Sequence, residues 1–319
     1  MLRRAIVGGH GAPGLRAGAV GVVAVAFVAL LPPAASLQQP TLAGVLSEAA
    51  ASVAGFADTT RIIACEERYK QNLLRHRVVL AQPELGYELK SSQYEMVGAD
   101  NREWVAELAL AATPANEPLG FPWMEFRDIV SVRGKPLRDG RSRLGMLATQ
   151  PLDLAGPEAV AITLDAAGLM LGRFVRAIDL PRLALVFLHA ANQPRFEFSR
   201  GGDDRVIDSV KTWEVKYRET TSPSIVRASG GGDAPSTGSF WIDPATGRVR
   251  MSVLKSADSS NVHDELTVTY RPNPAIGLCL PVQLKETIVD NDAEQRVDAT
   301  ATFTKWRILP RTASAVRVP

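Results

Sequence analysis

The stretch GSFWIDPATGRVRMSVLKS, Gly238 to Ser256, carries the clearest signal of fold in the chain. Its centre has turn composition. Pro244 presets φ for a turn, Gly247 tolerates positive φ, and the Asp243 carboxylate can accept hydrogen bonds from the turn backbone. The flanking residues favour strands. The stretch therefore predicts a β-hairpin, with its two adjacent aromatic residues on opposite faces of a sheet.

Three further segments alternate apolar and polar residues with a strict period of two. They are TWEVKY (212–217), ELTVTY (265–270) and VDATATFTKW (297–306). Each such strand has one apolar and one hydrated face, as in an antiparallel sheet that covers a core on one side. Consecutive strands joined by short turns predict a meander, and further strand-like segments lie between residues 61 and 137.

Three segments have helical character. Residues 41–59 place apolar side chains near helical spacing, and residues 156–174 do the same after a proline at the start. Residues 180–193 are apolar nearly all round, so a helix here has to be buried or cover an apolar surface. The sequence therefore predicts one N-terminal and two central helices.

The N-terminus is typical of a secretory signal peptide. Arginines precede the apolar run at 19–31, which is shorter than the roughly 20 residues of a membrane span. Ala34 and Ser36 have the spacing that signal peptidase prefers, so we expect residues 1–36 to be removed near Ser36. The mature chain would then be periplasmic or secreted, touching membrane only through the signal segment or transiently. An uncleaved N-terminal anchor is the alternative.

Charge and motifs exclude several functions. Beyond residue 36 the chain has 33 basic and 34 acidic residues, so no nucleic-acid partner is expected. GHGAPG (9–14) matches the letters of G-x-G-x-x-G, but a dinucleotide site also needs an acidic residue about 20 positions further on. The first acid in the chain is Glu48, so the match is accidental. No cofactor is expected.

Recognisable catalytic and metal motifs are absent from the sequence. There is no G-x-S-x-G, H-E-x-x-H or C-x-x-C, and the four histidines are scattered. Neighbouring acids such as Glu66 and Glu67 point to opposite faces of a strand, so they do not make a carboxylate pair for glycoside hydrolysis. We expect neither enzymatic activity nor a metal site, with a hydrolase of dispersed site residues as an alternative. Whether Cys65 and Cys279 form a disulfide stays open.

The order of elements, a signal segment, a helix, strands, two helices and a long meander, resembles the lipoprotein carriers of the LolA type, a fold shared by LppX-type and RseB-type proteins. The segment FWIDPATG is similar to a hairpin that recurs in those proteins, and residues 178–198 and 273–286 resemble secreted proteins of soil bacteria, acidobacteria in particular. The resemblance implies an α+β fold: an unclosed antiparallel β-barrel (half-barrel) at 37–319, with the N-terminal helix and two central helices covering its concave face. The tail from about 310 to 319 would be disordered.

The resemblance also implies a function. A concave apolar face would bind a lipid or the acyl chain of a lipoprotein without catalysis. The candidate ligand-binding residues are Leu183, Phe187, Phe196, Phe198, Trp213 and Phe240. The same residues could instead fill an ordinary core, and the same fold could serve as a sensor or interaction module for a periplasmic protein partner. The chain is longer than the carriers, and their ligand-handling arginine has no evident counterpart here.

Overall fold

The computed structural model describes residues 40–58, 61–79, 93–113, 121–139, 141–145, 157–171, 180–228, 231–257 and 262–310. From Pro40 onward the chain forms one compact unit. The predicted signal peptide, its cleavage site and the tail beyond Pro310 lie outside the described residues.

Twelve antiparallel strands form one open sheet in the described part of the chain. The strands are β1 (Arg61–Val79), β2 (Gln93–Ala112), β3 (Trp123–Val132), β4 (Lys135–Pro136), β5 (Phe196–Arg200), β6 (Arg205–Ile207), β7 (Val210–Glu219), β8 (Ser236–Ile242), β9 (Val249–Ala257), β10 (Val262–Asn273), β11 (Leu278–Asp290) and β12 (Gln295–Pro310). Their spatial order is β4-β3-β2-β1-β12-β11-β10-β9-β8-β7-β5, and β6 also pairs with β7. Most neighbours are consecutive in sequence, as a meander requires, but β1 pairs with β12.

Two α-helices and three 3₁₀ segments accompany the sheet in the described ranges. They are α1 (Leu42–Ala54), α2 (Pro157–Ala167), and the 3₁₀ segments Gly55–Ala57, Leu183–Leu188 and Gln193–Arg195. Helix α1 begins as its sequence predicts, because the Thr41 hydroxyl accepts a hydrogen bond from the Gly44 N–H at 3.1 Å. Its buried side chains are Val45, Ala49 and Val53.

The second central helix, predicted at 180–193, is wrong in type and length. A 3₁₀ turn covers only Leu183–Leu188, and all six of its side chains are buried. His189 takes extended backbone angles, which end the turn, and the Asn192 amide donates to the Val186 carbonyl at 3.0 Å. These local contacts end the segment after one short turn, so the all-round apolar pattern forms a buried 3₁₀ turn instead of the predicted buried α-helix. We call residues 180–195 the plug.

The contacts of the plug show that the sheet is strongly curved. Arg182 pairs with Glu125 of β3, whereas Phe187, five residues later, packs against Tyr217 of β7. Eight strand spacings separate β3 from β7, which is about 38 Å in a flat sheet. A 3₁₀ turn advances only about 10 Å over five residues. The sheet therefore wraps around the plug, and we call the face toward the plug the inner face.

This arrangement confirms the predicted fold class, an open antiparallel half-barrel with few helices, but corrects the place of α2. Its Ala159 and Ile162 pack with Ile62, Ala109 and Phe126 in a small cluster. Those sheet residues alternate with inner-face residues such as Ile63 and Leu108, so they lie on the outer face. The concave face is covered by α1 and the plug instead.

The predicted hairpin joins β8 to β9 and holds α1 in place. The Asp243 carboxylate accepts from the Ala245 N–H at 3.0 Å and from the Thr246 hydroxyl at 2.7 Å. Gly247 has φ +64°, and a Cβ there would lie 2.2 Å from the carbonyl carbon of Glu48 in α1. The turn thus connects two strands and also packs against the N-terminal helix.

Candidate ligand-binding site

The six predicted ligand-binding residues lie together on the inner face. Leu183 and Phe187 belong to the plug, Phe196 and Phe198 to β5, Trp213 to β7 and Phe240 to β8. All six belong to, or pack against, one continuous hydrophobic core. Four of them are fully or nearly fully buried, while Phe198 and Trp213 are half-buried.

The rings contact one another at stacking distances. The ring centroids of Phe187 and Phe196 are 4.6 Å apart, and those of Phe196 and Phe198 are 6.0 Å apart. Tyr217, which was not predicted as a site residue, stacks on Phe240 at 4.7 Å and meets Phe187 edge-on at 5.5 Å. In the structure as it stands, protein side chains therefore fill this part of the interior.

The hairpin aromatics separate onto the two faces as predicted. Phe240 is fully buried in the inner core. Trp241 faces outward, where its indole N–H donates to the Asp203 carbonyl at 2.7 Å and the Arg205 guanidinium lies 4.4 Å from its ring centroid. Trp241 thus packs against β6 and the loop before it.

Buried ion pairs on the inner face were missed by the sequence analysis. Arg127 of β3 donates to both carboxylate oxygens of Glu67 in β1, at 2.6 and 3.1 Å. The Arg127 guanidinium lies over the ring of Tyr69, whose hydroxyl donates to Glu286 at 2.8 Å. The sequence does carry a signal for this ion pair, because the alternation of β1 places Glu67 on the inner face. A charged residue at such a position has to find a partner.

Arg182, in the plug, is the most unusual of these groups. Its side chain is 0% exposed, and its Nη2 donates to the Glu125 carboxylate at 3.0 Å. The guanidinium lies over two aromatic rings, 5.9 Å from the centroid of Phe56 and 5.3 Å from that of Trp306. Nε and Nη1 have no hydrogen-bond partner among the described residues. Leaving a buried donor without an acceptor costs about 1–3 kcal/mol, so these nitrogens are an unfavourable feature of the core.

The start of the plug is anchored to β10. The Tyr270 hydroxyl donates to the Pro181 carbonyl at 2.8 Å and lies 3.0 Å from the Ser252 hydroxyl. Burial raises the pKa of Tyr270 above its ordinary value, so the hydroxyl keeps its proton and remains a donor. At the other end, the Gln193 amide donates to the Leu46 carbonyl of α1 at 3.0 Å.

Both cysteines are free and buried. Burial raises the pKa of Cys65 and of Cys279 above the ordinary value for a thiol. Neither is therefore a thiolate at neutral pH, and neither has the solvent access of a reactive cysteine.

A groove of about 460 Å³ opens at the ends of β8 to β11. Its polar lining includes Lys255, His263, Asp264 and Glu265. Lys255 pairs with Glu265 at 2.9 Å. An imidazole and carboxylates in one groove are the residue types that general acid–base catalysis uses.

The described residues contain neither a metal-binding cluster nor a membrane-spanning helix. No group of three or more histidine, cysteine or acidic side chains is arranged to hold a metal ion there. Among the helices that the structure describes, none combines the length and apolar composition needed to cross a bilayer.

Comparison with known proteins adds little. No protein-family model matches the chain, and no curated protein matches it. One solved structure with some likeness is a crystal structure of a DUF1329 family protein from Desulfovibrio piger. It is 8% identical, the match covers 83% of this chain and 92% of that chain, and the TM-score is 0.33. The function has to be argued from the site itself.

Proposed function

We propose that the protein is an exported, non-enzymatic binding protein that holds an apolar ligand, such as a lipid or a lipoprotein acyl chain, against the inner face of its half-barrel. The observation that carries this proposal is the nature of the plug. Leu183–Leu188 is a short, wholly apolar segment that belongs to no strand, yet it fills the centre of the curved sheet. An acyl chain has the same apolar character and could take its place.

The polar contacts of the plug lie at its two ends. At the start, Pro181 is bonded to Tyr270 and Arg182 to Glu125. At the end, Gln193 is bonded to α1, and the Arg195 carbonyl accepts from the Thr220 N–H at 2.9 Å. Between these ends, packing holds Leu183–Leu188 against the sheet, and no hydrogen bond joins the six residues to a strand in the described part of the chain. Displacing them exposes apolar surface, and a bound acyl chain would cover that surface again at about 25 cal/mol per Å².

The test is native mass spectrometry of the protein purified from the expressing cells, followed by solvent extraction of whatever is bound. We expect a co-purifying lipid in the wild type and its loss in Phe187→Arg. Val206→Arg is the matched control, since Val206 is 68% exposed on β6. If Phe187→Arg unfolds, the half-buried Phe198 provides the second variant, Phe198→Arg. An empty wild-type protein that binds no added acyl compound would refute the proposal.

The groove at His263 favours a second candidate, a hydrolase. Here we expect that ester hydrolysis by the purified protein, measured with a chromogenic short-chain ester, is lost in His263→Gln and kept in His189→Gln. Equal rates in both variants would rule the groove out as a catalytic site.

Exposed apolar residues on α2 favour a third candidate, an interaction module for a protein partner. Val160 and Leu164 are 45% and 65% exposed and four residues apart, so they share one face of the helix. A cross-linked partner that is lost on Leu164→Asp, with the fold retained, would support this candidate.

A further inference from the structure

The two ends of the plug are held in different ways, and its middle is held together by its own hydrogen bonds. Resting on the binding function proposed above, we infer that the plug is a gate. It moves away from the inner face as one body, released at its start and pivoting at its end, and this movement admits the apolar ligand. All six side chains of Leu183–Leu188 are buried, so the structure shows the closed state.

Hydrogen bonds inside the plug keep it in one piece. The Asn192 amide donates to the Val186 carbonyl at 3.0 Å, and the His189 backbone N–H donates to the same carbonyl at 3.2 Å. The Gln193 amide donates to the Leu188 carbonyl at 2.9 Å. These carbonyls keep their partners when the plug moves as a whole, whereas fraying residue by residue would leave them without acceptable partners until water arrives. Movement as one body is therefore favoured.

The end of the plug is fixed and provides the pivot. Arg195 continues directly into β5, and its carbonyl accepts from the Thr220 N–H at 2.9 Å and from the Thr220 hydroxyl at 3.1 Å. The Arg195 guanidinium also donates to the Pro223 carbonyl. The Gln193 amide donates to the Leu46 carbonyl of α1 at 3.0 Å. Movement about this end can keep these bonds while the start comes free.

The start of the plug contains a group that gains from release. Arg182 is fully buried, and its Nε and Nη1 have no acceptor among the described residues. Release supplies water to both nitrogens and rehydrates the charges of Arg182 and Glu125, which offsets the loss of their ion pair. The hydrogen bond from the Tyr270 hydroxyl to the Pro181 carbonyl, 2.8 Å long, opposes release, and we call it the latch. Burial of Leu183–Leu188 keeps the closed state dominant, so the open state is a minor population that a ligand can select.

Alkylation of an engineered cysteine measures the opening without any ligand. Ala184→Cys places a thiol in the plug, and Ala109→Cys places one in the outer-face cluster around α2, where both alanines are 2% exposed. Iodoacetamide reacts with a buried thiol when local opening exposes it. Peptide mass spectrometry separates these sites from the native Cys65 and Cys279. In the full-length protein we expect Ala184→Cys to react at least about tenfold faster than Ala109→Cys, because opening the plug costs less than opening the sheet.

Two changes at the start of the plug should move this rate in opposite directions. Tyr270→Phe removes the latch and should raise the rate at Ala184→Cys by about three- to tenfold, the effect of one hydrogen bond. Arg182→Met with Glu125→Met removes the gain from hydration and should lower the rate by about threefold or more. The rate at Val186→Cys, a second position in the plug, should change by the same factors, because the plug moves as one body.

Tyr217→Phe is the matched control. Tyr217 is also a buried tyrosine of the inner face, but its hydroxyl donates to the Val253 carbonyl of β9 at 3.0 Å, so it bonds strand to strand. Its replacement keeps the ring and should leave the rate at Ala184→Cys unchanged. Equal acceleration by Tyr217→Phe and Tyr270→Phe would overturn the gate.

Three further results would also overturn it. They are equal rates at Ala184→Cys and Ala109→Cys, unequal factors at Ala184→Cys and Val186→Cys, and an unchanged rate in the folded double variant of Arg182 and Glu125. If Tyr270→Phe does not fold, as judged by circular dichroism, the double variant decides. A wild-type protein that binds no acyl compound would refute the proposed function, but the opening of the plug is measured without ligand and would stand.

Discussion

Gly247 is required for two separate reasons. Its φ of +64° lies in the left-handed region that disfavours side chains, and its α-carbon approaches the backbone of α1 so closely that a Cβ would lie 2.4 Å from the Ala49 nitrogen. Gly277 has a similar φ of +83°, yet a Cβ there would meet nothing within 4 Å. A comparison of alanine variants at the two glycines therefore separates the cost of backbone strain from the cost of a steric collision.

We expect Gly277→Ala to lower the free energy of unfolding by about 1 kcal/mol, the usual cost of a left-handed alanine. Gly247→Ala should lower it by a further 1–3 kcal/mol, roughly, because α1 has to move away from the turn. Urea unfolding of the two variants measures both values. Equal losses would show that α1 does not rest on the turn.

His189, directly after the buried 3₁₀ turn, makes stability depend on pH. Burial lowers its pKa below the ordinary 6.5. The unfolded chain then binds a proton more readily than the folded one, so the contribution of His189 to stability is complete above about pH 6.5 and is lost as the pH falls toward the lowered pKa. We expect the Tm of the wild type to fall more steeply than that of His189→Gln over this window, measured by circular dichroism. Parallel curves would contradict the expectation.

At the scale of elements, α2 is fixed to the sheet by a buried carboxylate. Asp128 of β3 is 0% exposed and accepts from the Arg143 backbone and side chain at 2.6 Å each, and from Arg138 at 3.0 Å. Both arginines also reach Asp165 of α2, at 2.9 and 3.3 Å. The two guanidinium groups thus bridge strand and helix.

We expect Asp128→Asn to destabilise the protein by about 3 kcal/mol, since it leaves the arginines without their buried carboxylate. Glu197→Gln, which removes an exposed ion pair, should cost less than about 1 kcal/mol. Amide hydrogen exchange adds a local readout, with faster exchange in α2 for Asp128→Asn only. Comparable losses in the two variants would mean that Asp128 is not the attachment point.

The elements differ in how far their sequences predict them. Strands β7, β10 and β12 follow from strict alternation, and the hairpin turn follows from its Asp, Pro and Gly. The plug does not, because an apolar segment of this length fits a buried helix and a 3₁₀ turn equally well. The side of the sheet on which α2 packs depends on where Asp128 and Arg143 meet. Such pairing between distant strands and loops leaves no local pattern. The aromatic residues of the site could be predicted because they occupy apolar positions. The pair of Arg182 and Glu125 could not be predicted, because the two residues are 57 positions apart in the sequence.

At the scale of the whole molecule, both cysteines lie buried in strands of the curved sheet, Cys65 in β1 and Cys279 in β11. Because Cys65 and Cys279 are free, buried and have raised pKa values, we expect a thiol reagent to modify neither in the native protein at neutral pH. After unfolding in guanidinium without reductant, 2 thiols per chain should react, the full count of the sequence. A reading of zero would indicate a disulfide, and fast labelling of the native protein would indicate an accessible thiol.

The pairing of β1 with β12 also determines when the protein can become native. β12 is the last strand of the sheet to be synthesised, but it lies in the interior of the strand order, between β1 and β11. Until it emerges, β1 presents an unpaired edge with an apolar side, a surface prone to association. If the chain crosses a membrane from its N-terminus as proposed, the earlier strands wait on the far side for β12. Assembly of the sheet then follows translocation. Chaperones that bind unfolded chains would have their greatest effect between the arrival of the earlier strands and the arrival of β12.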